Sequence, residues 1–151
     1  LIAALPDSIQ SAIRNGERDS MFTSDSYLAA NRYFASLHGR RNEYLKHPYD
    51  TVESNFSAFI YNYMWGPTEF TARGTLKDYD NAQSLKGVQV PALFATGEFD
   101  EARPATVRRL SEMVEGSDFV VIPEAAHFTL NDNREAVVAA IQKFLIEQEG
   151  S

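Results

Sequence analysis

Two residues in the second half of the chain have the types and spacing to move a proton. Asp100 closes the stretch Gly97-Glu-Phe-Asp100, and His127 follows 27 positions later in Pro123-Glu-Ala-Ala-His127-Phe. A carboxylate held against an imidazole fixes the ring's tautomer and leaves the second ring nitrogen to act as a base. Taken alone, Asp100 has a plainer reading as a turn residue, because aspartate bonds readily to nearby backbone. The elements around the two residues decide between these readings.

Leu93, Phe94 and Ala95 form the continuous apolar run expected of a strand covered on both faces. Gly97 breaks that strand, and Pro104 opens a helix at the position where its missing N–H costs nothing. Val107, Leu110 and Val114 fall on one stripe of this helix, and Ser117–Ile122 reads as a second short strand. Strand, helix and strand make a right-handed crossover that sets the two strand ends side by side. Asp100 and His127 each lie just past such an end, where open α/β sheets collect their chemistry.

The rest of the chain falls into two regimes. Before Gly74 no alternating strand pattern occurs. Pro6–Asn15 predicts a helix stopped by Gly16, and Ser24 caps a second helix that carries Tyr27, Ala30, Phe34 and Leu37 to a stop at Gly39. A third helix is expected from about Val52 to Met64, after a turn at His47-Pro-Tyr-Asp. Beyond Gly74, Val88–Thr96, Pro104–Val114, Phe119–Ile122 and Asn133–Gln148 alternate as βαβα. In the last helix Val137, Ile141, Phe144 and Leu145 share one stripe. Twelve of the 18 aromatic residues lie in the first 75 positions, and core packing accounts for most of them.

Bulk properties remove several function classes. The chain has 151 residues, 44% hydrophobic and 23% charged, with a net charge of −7. That charge argues against a nucleic-acid surface, which needs clustered Lys and Arg. No apolar run approaches the length of a membrane span. Cysteine is absent, so no disulfide or thiolate metal site is expected, and a cytoplasmic location fits. The three histidines show no metal-ligand spacing, and no cofactor is expected. His38 and His47 read as surface or helix-end residues, and Asp78 and Asp80 as backbone-satisfying ones. The chain opens on Leu1 inside helical sequence, as a fragment, a processed chain or one piece of a nicked protein would.

With Gly97-Glu-Phe-Asp100-Glu-x-x-Pro104 and Ala126-His127-Phe in view, the chain resembles the C-terminal half of an α/β-hydrolase of the proline iminopeptidase family. The most specific segment is Trp65-Gly-Pro-Thr-Glu-Phe-Thr-Ala-Arg-Gly-Thr-Leu-Lys-Asp-Tyr-Asp80. The resemblance implies an all-helical cap over residues 1–75, followed over 76–151 by the last strands and helices of the core. It also implies that Asp100 is the triad acid and His127 the general base. Glu69, Glu101 and Trp65 would bind substrate. Burying the ammonium of a free peptide N-terminus is costly unless carboxylates accept its hydrogen bonds.

One part of such a triad is missing. None of the eight glycines is followed two positions later by serine, so the chain contains no G-x-S-x-G elbow. Because the superfamily order is Ser, Asp, His, the serine is expected before residue 1. The expected function is therefore the C-terminal portion of a serine aminopeptidase acting on N-terminal proline or other small residues of peptides, or on amino-acid amides. Its expected partner is the missing N-terminal half of the same hydrolase, and this chain alone is expected to be inactive. Two other readings stay open: an esterase- or epoxide-hydrolase-type enzyme, and a non-catalytic binding module that lost its serine.

Overall fold

The computed structural model describes residues 1–42 and 57–150. The chain divides into two compact units. One takes Leu1–Phe34 and Pro48–Asp80, and the other takes Ala35–His47 and Asn81–Ser151.

The first unit is built on helices. After a 3₁₀ turn at Ile2–Ala4 come α1 (Asp7–Asp19), α2 (Asp25–His38, whose last turn counts with the second unit) and α3 (Ala58–Met64). Ser24 caps α2 as expected, its hydroxyl accepting from the Tyr27 N–H at 3.4 Å. Gly16 does not stop α1. The helix runs on to Asp19 and ends where Ser20 turns left-handed at φ 55°. Gly16 serves packing instead, since a Cβ there would lie 2.1 Å from Cδ2 of Tyr27. The Tyr27 ring is 1% exposed and forms the unit's core with Ile13, Ala30 and Phe34. Phe22 and Phe70 meet it edge-on, with ring centres 5.8 and 6.1 Å away. The third expected helix is seen from Ala58, while Val52, Phe56 and His47 lie outside the described residues. Residues 65–80 are mostly turns, with Arg73 and Gly74 N–H donating to the Trp65 carbonyl at 2.7 and 2.8 Å.

The second unit holds the α/β part. A 3₁₀ turn at Ala82–Gly87 leads to β1 (Leu93–Gly97), then α4 (Pro104–Ser111), β2 (Asp118–Ile122), α5 (Thr129–Asp132) and α6 (Arg134–Glu149). β1 and β2 pair in parallel, Leu93 opposite Asp118 and Gly97 opposite Ile122. β1 starts later than the expected Val88, because Pro91 has no N–H to give a ladder. Helix α4 ends at Ser111 rather than Val114, its chain closing in tight turns from Met113 to Leu110 and from Val114 to Ser111. Ile122, Ala125 and Val137 form the core, with Val120, Ala136 and Ala140 against them. Cover on the strand is incomplete among the described residues: Leu93 and Phe94 are half-buried and Ala95 is exposed. On α6 the expected stripe is only partly covered: Phe144 is half-buried, Ile141 and Leu145 are exposed, and so are the neighbouring Val138 and Ile146.

Candidate active site

The site grows from the register of the two strands. Because Gly97 and Ile122 are opposite each other, the chain leaves both strands at the same level. The two exit loops then bond to each other. Glu98 N–H donates to the Ile122 carbonyl at 3.0 Å, and Phe99 N–H to the Ala125 carbonyl at 2.9 Å. This close approach requires glycine at 97, since a Cβ would sit 2.3 Å from the Ala126 carbonyl oxygen and 2.5 Å from that of Ala125. The second loop is further pinned at Glu124, which has φ 57° and donates its N–H to the Glu98 carboxylate at 3.0 Å.

These loops bring Asp100 and His127 together. The Asp100 carboxylate oxygen Oδ1 lies 3.1 Å from Nδ1 of His127. The same oxygen accepts the Ala102 N–H at 2.8 Å, so the acid also holds its own turn. Both readings of Asp100 are therefore present in one side chain. Its side chain is 6% exposed, whereas that of His127 is 52% exposed. A carboxylate can only accept here, so Nδ1 of His127 carries the proton and Nε2 keeps its lone pair. The arrangement is a buried carboxylate orienting a half-exposed imidazole.

The remaining candidates stand in different surroundings. Glu101 follows the acid and is half-buried in the second unit. Glu69 belongs to the first unit, is exposed, and accepts the Tyr61 hydroxyl on Oε1 at 2.5 Å. Trp65, in the same unit, has a buried indole N–H without a hydrogen-bond partner among the described residues. No group of three or more His, Asp or Glu side chains that could hold a metal occurs among the described residues.

The sequence reading passed over three residues that frame the pair. His38, set aside as a helix-end residue, places its ring Nδ1 2.7 Å from the Phe99 carbonyl oxygen. Asp132 accepts the Ala126 N–H on one carboxylate oxygen at 2.9 Å, and the Arg41 and Asn42 N–H groups on the other at 3.0 and 2.8 Å. The Arg41 guanidinium lies 3.8 Å over the Phe99 ring. Apart from the Phe99 ring and the nearby Ala126 N–H, these partners are main-chain groups 61 to 91 positions away, which residue type and spacing do not announce.

A parallel strand pair with a carboxylate–histidine couple at its exits, in a chain that also holds a helical unit, matches a partial α/β-hydrolase core with a helical cap. Comparison with known proteins agrees. No family model matches the chain. A proline iminopeptidase of Heyndrickxia coagulans is 34% identical over 142 residues, covering 93% of this chain and 49% of that protein. One from Saccharolobus solfataricus is 30% identical, covering 96% of this chain and 47% of the relative. Among solved structures, VinJ superposes with a TM-score of 0.86 at 26% identity, over 97% of this chain and 50% of that one. The proline iminopeptidase of Mycobacterium smegmatis gives 0.81 at 29% identity, again over 97% and 50%. By these matches the chain is similar to proline iminopeptidases, and its fold is that of a partial α/β-hydrolase. It spans about half the length of the curated relatives it matches.

Proposed function

We propose that this chain supplies the acid, the base and the substrate cap of a serine hydrolase that releases proline or another small N-terminal residue from peptides, or hydrolyses amino-acid amides. The 3.1 Å contact between Asp100 and His127 carries the reading. Nε2 of His127 takes the proton of a serine hydroxyl as that oxygen attacks the carbonyl carbon, and returns it to the departing amine. A water molecule, deprotonated by the same nitrogen, then releases the acyl group. Asp100 keeps the ring in the Nδ1–H form and stabilises the imidazolium between these steps.

The serine is contributed from outside this chain, by the rest of the same hydrolase. Glu69 and Glu101 each offer a carboxylate to a substrate's free ammonium, which would otherwise lose its hydration without compensation. Trp65 adds to substrate binding, with an indole N–H that has no partner among the described residues. The half-covered β1 and the exposed Val138, Ile141, Leu145 and Ile146 of α6 supply the surface on which the missing half sits.

Asp100→Asn in the serine-containing protein tests the reading. The expected result is a fall in kcat on a prolyl amide on the order of 10³–10⁴-fold, with KM little changed, because the amide holds the ring in the wrong tautomer. Turnover within a few-fold of the parent would remove the pair from catalysis.

A further inference from the structure

We infer that His38 is a positioning residue for the Asp100–His127 pair, holding the acid through its ring and the base through its backbone. The inference rests on the reading of that pair as acid and base.

The peptide linking Phe99 to Asp100 is held on both sides. Its carbonyl faces Nδ1 of His38 at 2.7 Å, and its N–H donates to the Gly97 carbonyl at 3.2 Å. A carbonyl oxygen only accepts, so His38 must donate, and its Nδ1 carries the proton. Fixing both edges of this peptide fixes the direction in which the Asp100 side chain leaves the backbone. On the other loop, the His127 N–H donates to the His38 carbonyl at 3.1 Å, and the next N–H, of Phe128, to the Gly39 carbonyl at 3.0 Å. One residue at the end of α2 therefore holds the peptide that leads into Asp100 and the backbone N–H of His127. All of these groups belong to the second unit.

Neighbouring contacts keep His38 where it is. Asp132 joins the N–H groups of Arg41 and Asn42 to that of Ala126, so the segment after His38 is anchored to the residue before His127. Arg41 also stacks on Phe99, the residue whose carbonyl His38 holds. The ring donor is what a hydrophobic substitute would lack. Without it the Phe99 carbonyl is released on that side, Asp100 swings, and the 3.1 Å contact with His127 loses its alignment.

Nitrogen-15 chemical shifts of the imidazoles in this chain provide the test. It has three histidines, so His127 is assigned by comparison with His127→Ala. At a pH about two units above the ordinary imidazole value, the neutral ring reports its tautomer directly. The parent should show His127 as Nδ1–H. His38→Phe, which fills the space without a donor, should shift it toward the Nε2–H form that an unheld imidazole prefers. His38→Asn, whose amide nitrogen can take the place of Nδ1, should restore the parent tautomer. If the Phe variant does not fold, His38→Ala, which also lacks a side-chain donor, replaces it in the same comparison. A folded donorless variant that keeps the parent tautomer, or an Asn variant no better than it, overturns the positioning role alone. A parent without the Nδ1–H preference overturns the acid–base reading as well.

Discussion

At the scale of single residues, the chemistry depends on which nitrogen carries a proton and on which carboxylates remain for substrate. Asp100 is buried and His127 half-exposed, so the pair presents one basic nitrogen outward and keeps its charge partner dry. Glu69 differs in kind. One of its oxygens accepts the Tyr61 hydroxyl, which orients the carboxylate that the proposed function assigns to a substrate ammonium. In the serine-containing protein, Glu69→Gln should weaken use of a free-amine substrate by about 1.5–3 kcal/mol, the range for a hydrogen bond to a charged group. The kcat/KM for an acyl ester of similar shape without an amine should stay nearly constant. Equal damage to both substrates would make Glu69 a partner of Tyr61 and nothing more, and would favour an esterase-type hydrolase. The pairing of Asp100 with His127 was legible because strand-end position and residue type coincide. His38 was not, since its acceptor is a main-chain carbonyl 61 positions away, and every residue offers one.

At the scale of elements, the βαβα run was legible from an apolar strand, a proline at the first turn of a helix and a stripe of aliphatic residues. The glycines were harder to read. Both Gly16 and Gly97 look like punctuation, yet both are places where another group comes too close for a Cβ, a tyrosine ring in one case and two carbonyls in the other. Sequence shows that a glycine is present and not what stands over it. Gly16 makes room for Tyr27, whose hydroxyl donates to Glu17 at 2.7 Å. Arg73 completes the cluster at 3.2 Å from the same carboxylate. Burial alone would raise the Glu17 carboxyl, but hydrogen bonds from Tyr27, Thr68, Thr71 and Arg73 outweigh it and hold it below its ordinary value of 4.5. A carboxyl depressed by folding contributes stability above its unfolded value and loses it as the pH falls through the folded one. The chain's thermal midpoint should therefore drop below about pH 4.5, the ordinary glutamate range. Glu17→Gln should flatten that acid limb and cost about 1–3 kcal/mol near neutral pH. An acid limb unchanged in the variant would assign the loss to other carboxylates.

At the scale of the whole molecule, the central claim is that this chain carries part of a catalytic machine whose serine lies elsewhere. Its two-stranded sheet is small for an α/β core, and four aliphatic residues stand exposed on α6. Such a face is a liability unless something covers it. The relatives extend to about twice the length spanned here, which is enough chain to supply both the cover and the nucleophile. The most direct measurement is release of the leaving amine from a prolyl amide by three samples: this chain, a segment bearing G-x-S-x-G from the same hydrolase, and the two combined. Turnover should appear only in the combination, and it should vanish there with His127→Ala. Turnover by this chain alone, or a combination indifferent to His127, would contradict the account.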